Sequence, residues 1–127
     1  MRYLKSEQIL FIHSAAVSKT GGSQGVRDWE ALRSIENLPQ QEFGETSLYQ
    51  GVFTKAAVYA RSIIMNHPFI DGNKRTGMAS AATFLELNGY ELIVKEGEIE
   101  DFAPMVVEDK LDIQEIAKWL EKHTKKL

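Results

Sequence analysis

The chain contains no cysteine. Disulfides and thiolate metal sites are therefore excluded, and a cytoplasmic home is expected. No apolar run approaches the roughly 18 residues of a membrane-spanning helix, and the opening Met1-Arg2-Tyr3-Leu4-Lys5 lacks the apolar core of a secretory leader. Basic excess is also missing: 15 Lys and Arg stand against 18 Asp and Glu, for a net charge of -3. A protein that holds nucleic acid through its phosphates carries the opposite imbalance, so direct nucleic-acid binding is not expected. Repeats and low-complexity segments are absent. What remains is an ordinary globular composition over 127 residues, with 43% hydrophobic residues. That suffices for one modest core, so residues 1–127 read as a single domain.

Helical periodicity dominates. Ser6 is a candidate cap for a first helix carrying Ile9, Ile12 and Ala16, and Gly21-Gly22 should end it. Asp28 should cap a second, through Trp29, Leu32 and Ile35. Leu38 to Thr46 is polar and turn-rich, with the lone aromatic Phe43, and reads as a loop or small hairpin. Ser47 is expected to open a longer helix bearing Val52, Phe53, Ala56, Ala60, Ile63 and Ile64. Pro68 should stop it, because the residue before a proline avoids the helical region. Asn73 is a candidate cap for a fourth helix, rich in small residues and closed by Asn88-Gly89. Tyr90 to Val94 reads as a short strand. Glu98 to Glu108 reads as a helix that Pro104 either interrupts or begins. Asp112 and Glu115 have capping-box spacing before a last helix, with Lys122, Lys125 and Lys126 expected near its C-terminal end. The fold class is mostly α, a compact bundle of about six helices with a small loop or hairpin.

One run concentrates the chemistry: His67-Pro68-Phe69-Ile70-Asp71-Gly72-Asn73-Lys74-Arg75-Thr76. A helix N-terminus presents free N–H groups and a partial positive charge, and so attracts anions. Gly72 allows backbone shapes that aim successive N–H groups at one point. Lys74 and Arg75 add full charges, the arginine as a fork matched to phosphate oxygens. Two cations at the positive end of a helix are an electrostatic misfit unless an anion sits there. Asp71 is a hard oxygen ligand suited to magnesium, which travels with nucleotide phosphates. His67 can take a proton from an attacking hydroxyl. Phe69 and Ile70 can pin the loop into the core. Phosphoryl transfer requires positioning, charge stabilisation and a base, and this run offers all three. Taken singly, the same residues equally make a turn, a helix cap and a solvated first turn. No complete P-loop and no protein-kinase signature is present.

The run resembles the Fic family motif, H-P-F-x-[D/E]-G-N-[G/K]-R, and is most similar to its death-on-curing branch. Gly21 to Asp28, Asn88-Gly89-Tyr90 and the chain's shortness add to the likeness. The resemblance implies a Fic fold and a toxin that transfers the terminal phosphate of ATP to a protein hydroxyl. His67 would be the general base, and Asp71 would hold Mg2+. Gly72 and Asn73 would shape an anion hole, Lys74 and Arg75 would contact phosphates, and Phe69 would anchor the loop. Leu38 to Thr46 would be a flap that aligns the target. AMP-transferring members have glycine in place of Lys74 and a second arginine in place of Met78, which favours the kinase reading. Gly72 points the other way, matching the wider family where the best-known death-on-curing toxin has alanine. AMP transfer therefore stays as the second reading, and a non-catalytic interaction domain as the third. Self-inhibited members carry [S/T]-x-x-x-E-[G/N], which does not occur here. Glu36-Asn37 and Glu96-Gly97 both lack Ser or Thr four residues before the glutamate. The resemblance thus implies an antitoxin acting in trans and, as target, a translation elongation factor.

Overall fold

The computed structural model describes all residues from 1 to 127. Its elements run α1 (Ser6–Thr20), α2 (Trp29–Asn37), a 3-10 turn (Leu38–Gln40), β1 (Glu42–Phe43), β2 (Thr46–Ser47), α3 (Val52–Asn66), α4 (Asn73–Leu87), β3 (Tyr90–Leu92), α5 (Glu98–Glu108), α6 (Ile113–Lys122) and β4 (Thr124–Lys126). The architecture is mostly α, with six helices and two small antiparallel pairs, β1 with β2 and β3 with β4.

The central element is α3. Lys55 through Ala60 and Ser62 through Ile64 are all buried, so the helix is covered on nearly every side. Small residues permit this, because Ala56, Ala57 and Ala60 let neighbours approach closely. Its main neighbour is α4, and Gly77 sits at the crossing. A Cβ there would lie 2.9 Å from the Ala60 carbonyl oxygen and 2.8 Å from Ile64 Cγ1, so any side chain would force the helices apart. Tyr59 and Phe84 pack beside this seam, with ring centroids 5.1 Å apart. The Tyr59 hydroxyl accepts the Leu4 N–H at 2.9 Å. Burial pushes that phenol's pKa up to about 12. α1 buries Ile9, His13 and Val17, one residue per turn. It is tied to α2 where the Ser6 N–H donates to Glu36 Oε1 at 2.5 Å, a bond that holds this carboxyl below its ordinary range.

Several local expectations fail, each for a visible reason. Lys5, not Ser6, is the N-cap of α1, and the Gln8 side chain reaches back to accept the Lys5 N–H at 2.8 Å. Ser47 does not open α3. It lies in β2, its hydroxyl donating to the Tyr49 carbonyl, and the helix starts after Gly51, whose φ of 88° breaks the chain direction. Trp29 does not share the inward face of Leu32 and Ile35, with which it is grouped in the second helix; it is 53% exposed, because α2 is short and turns only those two inward. Pro104 neither interrupts α5 nor lies in its first turn; the helix continues through it. Lys125 and Lys126 are strand residues, paired with Glu91 and Tyr90 across the β3–β4 ladder. The chain returns there because β3 needs a partner. Asp28 and Asp112 cap their helices as expected, accepting the N–H groups of Ala31 and Glu115.

Candidate functional site

The loop between α3 and α4 holds its shape through bonds to three other parts of the chain. His67 ends α3 in the left-handed region, with φ of 48° and ψ of 58°. That is a costly conformation for a residue with a side chain, and it persists only where the surroundings impose it. Arg27 imposes it. Its Nε donates to the His67 carbonyl at 2.6 Å and its Nη2 to the Asn66 carbonyl at 2.8 Å, satisfying the exposed end of α3. The Pro68 carbonyl accepts the N–H groups of Arg27 and Asp28, and the Ile70 N–H donates to Gly25. A single strand-like bridge joins Val26 to Phe69. The Gly21 to Asp28 segment thus runs alongside the motif and braces it.

Phe69 lies fully buried beneath the loop, whereas Ile70 is 58% exposed and points away from the core instead of pinning the loop into it. Asn73 closes the loop across its base. Its Oδ1 accepts the Phe69 N–H at 3.0 Å and its Nδ2 donates to the Phe69 carbonyl at 2.9 Å. Asn73 is therefore not the cap of α4 but its first residue. The cap position belongs to Gly72, at φ of 76° and ψ of 20°, a backbone shape that favours glycine. With no capping side chain, the first N–H groups of α4 stay free for an outside acceptor.

His67, Ile70, Asp71, Gly72, Asn73, Lys74 and Arg75 line one cleft of about 330 Å³. The structure therefore gathers every candidate residue around a single opening, except Phe69, which supports it from below. Lys74 and Arg75 are exposed and form no ion pair; the sole one in the molecule joins His123 to Glu98. Their other sides border a second cleft of about 200 Å³, completed by Ile99, Glu100, Ala103 and Pro104. One opening is polar and cationic and its neighbour is largely apolar, with the two basic side chains between them. Such a pair can accept a molecule with an anionic part and a flat apolar part.

Metal capacity rests on Asp71. No group of three or more His, Asp or Glu side chains converges anywhere, so a resident metal cage is not built. Asp71 Oδ1 accepts the Gly72 N–H at 2.9 Å and Oδ2 the Ser23 N–H at 3.2 Å, which orients the carboxylate and leaves lone pairs unused. A single oriented carboxylate fits magnesium that arrives with substrate phosphates and keeps most of its water.

Some contributors were not assigned roles from the sequence. Arg27 caps the end of α3 through the carbonyls of Asn66 and His67. His13, on the inward face of α1, bonds to the Asp71 carbonyl. Lys55 was not singled out. It is 6% exposed, donates to the Pro39 carbonyl at 2.9 Å and to Ser47 Oγ at 3.2 Å, and sits 5.5 Å over the Tyr3 ring. It joins both legs of the Leu38 to Ser47 segment to α3. With the helix expected to open at Ser47, Lys55 falls well inside it, and nothing in the local sequence marks it as a contact to the preceding segment.

Known proteins are similar to this chain in sequence. Toxin Doc of Mycolicibacterium smegmatis is 39% identical over 90 residues, covering 71% of this chain and 67% of that protein. Protein kinase doc of Escherichia phage P1 is 26% identical over 117 residues, covering 92% of this chain and 91% of that protein. A family model described as Fic/DOC matches residues 3–85, from before α1 through the loop and most of α4. The matched span takes in the brace, the hairpin and the cleft together, and the chain belongs to the Fic/DOC family.

Proposed function

We propose that the chain is a toxin of the death-on-curing type that transfers the terminal phosphate of ATP to a hydroxyl group of a protein. The observation that carries this reading is the cleft itself. An exposed histidine in an imposed left-handed conformation opens onto the same 330 Å³ space as two unpaired cations and an uncapped helix N-terminus. The name of the phage relative, a protein kinase, favours phosphate transfer.

In this reading the phosphates rest against the free N–H groups of α4, with Lys74 and Arg75 on the outer oxygens. The adjoining apolar cleft beside Ile99 and Ala103 is available to the rest of the nucleotide. His67 accepts the proton of the target hydroxyl. The hydroxyl oxygen bonds to the γ-phosphorus, the bond from that phosphorus to the bridging oxygen breaks, and ADP leaves with the electron pair. Magnesium, held by Asp71 and the phosphates, would offset the negative charge on the transferring group. The Leu38 to Thr46 segment serves as the flap that meets the target, with Phe43 at 85% exposure as its contact. The target we propose is a translation elongation factor, from the family resemblance alone.

An antitoxin in trans completes the reading. Two adjoining hollows between α1 and α4 share Phe11 and Ile12, the first lined also by Leu4 and Glu7 and the second by Lys19 and Arg75, and together they are the seat we propose for an antitoxin segment that folds on docking. The second hollow reaches Arg75, so an occupant would also crowd the cleft. AMP transfer is the second reading, supported by Gly72.

The test uses the purified chain, magnesium, a bacterial lysate and ATP labelled separately at its α and γ positions. Label on a protein from the γ position only is expected. His67→Ala should lower it by about 10²- to 10⁴-fold. Label from the α position would overturn phosphate transfer in favour of AMP transfer. Absence of both would reduce the chain to a binding role.

A further inference from the structure

His13 touches the loop without entering the cleft. It lies on the inward face of α1 and is 1% exposed. Its ring stacks on Phe69 with centroids 3.9 Å apart and planes 4° from parallel. Its Nε2 lies 2.7 Å from the Asp71 carbonyl oxygen. A carbonyl only accepts, so Nε2 carries the proton and donates. Beside it, a Cβ on Gly72 would meet Val17 Cγ2 at 3.1 Å and His13 at 3.8 Å. His13 and Val17 together form the floor on which residues 69 to 72 rest.

The Asp71 carbonyl and the Gly72 N–H belong to one planar peptide unit. Anchoring the oxygen therefore also sets the direction of the N–H. That N–H donates to Asp71 Oδ1, so the chain of contacts closes on the carboxylate. The other carboxylate oxygen is held by the Ser23 N–H. We infer that His13 is the positioning residue of this loop, setting the Asp71–Gly72 peptide plane and through it the direction of the Asp71 carboxylate. His13 contacts no substrate and transfers no proton. Its effect passes through the backbone, from a residue 58 positions earlier in the chain. The inference deepens the magnesium-nucleotide reading of the cleft and rests on it for its functional consequence. Its structural core does not depend on that reading.

Two substitutions separate the hydrogen bond from the ring stack. His13→Phe keeps a ring against Phe69 and removes the donor. His13→Gln places an amide nitrogen near the same point and removes the ring. Two readouts apply. The first is the amide spectrum of the chain without nucleotide. His13→Phe should displace the Ser23 and Gly72 signals, and His13→Gln should leave them near their original positions. The second is the magnesium concentration giving half of the thermal stabilisation by ATP. This should rise about ten-fold or more in His13→Phe, as for the loss of a partner that orients a metal ligand, and much less in His13→Gln. Unchanged Ser23 and Gly72 signals in His13→Phe would overturn the inference. So would equal losses in both variants, which would assign the effect to the packing of the site as a whole rather than to the hydrogen bond. If His13→Phe does not fold, nitrogen-detected imidazole spectra of the original chain decide. A proton held on Nε2 and slow to exchange is expected, and an unprotonated Nε2 would sink the idea. Should ATP and magnesium fail to stabilise even the original chain, the nucleotide reading falls, while the amide and imidazole spectra still judge His13.

Discussion

Two short polar segments in this chain each carry one phenylalanine, and the structure treats them oppositely. In the 67–75 loop, Phe69 is fully buried. Arg27, Asn73 and His13 bind the backbone around it. In the Leu38 to Ser47 segment, Phe43 is 85% exposed. The hairpin there has two residues per strand and an open tip at Gly44, with φ of 66°. Only its base is fastened, by Lys55 and by the Leu48 N–H donating to Gln41. The loop is held by bonds from several parts of the chain, which suits the anion site proposed for it, where no reorganisation should accompany the reaction. The hairpin is left adaptable, as a surface that must meet another protein can be. Both hang on α3, with Lys55 near its start and His67 just past its end. One helix thus relates the two.

The contrast can be broken most directly at Asn73. Asn73→Ala strips both partners from the buried Phe69 backbone and should cost about 2–5 kcal/mol by urea unfolding. A loss below about 1 kcal/mol would mean that the loop is not held as described. Next in size is alkaline destabilisation through Tyr59, midway along α3. Its folded pKa is raised from 10.0 to about 12. The protonated phenol therefore contributes stability that is complete below pH 10 and lost as pH rises towards 12. We expect on the order of 2 kcal/mol, absent from the pH profile of Tyr59→Phe. Since both segments depend on α3, they should loosen together in that range. Lys55→Met sharpens the difference instead. Hydrogen exchange at the Leu48 amide should quicken roughly 5- to 10-fold, that at Phe69 should not, and equal acceleration would erase the distinction. The smallest stability effect belongs to Phe43→Ser, expected within about 0.5 kcal/mol of the original. It should nevertheless reduce transfer to the protein target and leave stabilisation by ATP unchanged.

Much of this was legible in the residues. The helices at α3, α4 and α6 follow from spacing, and the stop at Pro68 follows from local sterics. The cleft-lining residues are contiguous, so one loop could bring them together without long-range folding. Errors fell where a polar side chain had two possible partners. Ser47 and Asn73 were read as helix caps, which is their commonest local use. Each instead serves the tertiary structure, Ser47 by meeting Lys55 and Asn73 by closing the loop under Phe69. Trp29 went astray because apolar character alone does not tell which way a nine-residue helix turns its sides. Only half of the β3–β4 ladder is legible, since Tyr90 to Val94 reads as a strand while Lys125 and Lys126 read as the basic end of the last helix.

By itself the sequence determined the order of helices, the sharp turn before α4 and the set of side chains offered at its start. These depend on periodicity, proline sterics and glycine conformation, which act over a few residues. Only the tertiary structure decided which distant groups hold that set in place: Arg27 on His67, Ser23 and His13 on Asp71, and Lys55 under the hairpin. Those choices follow from how α1 and α3 pack, and packing depends on the shape of the whole core rather than on any local pattern.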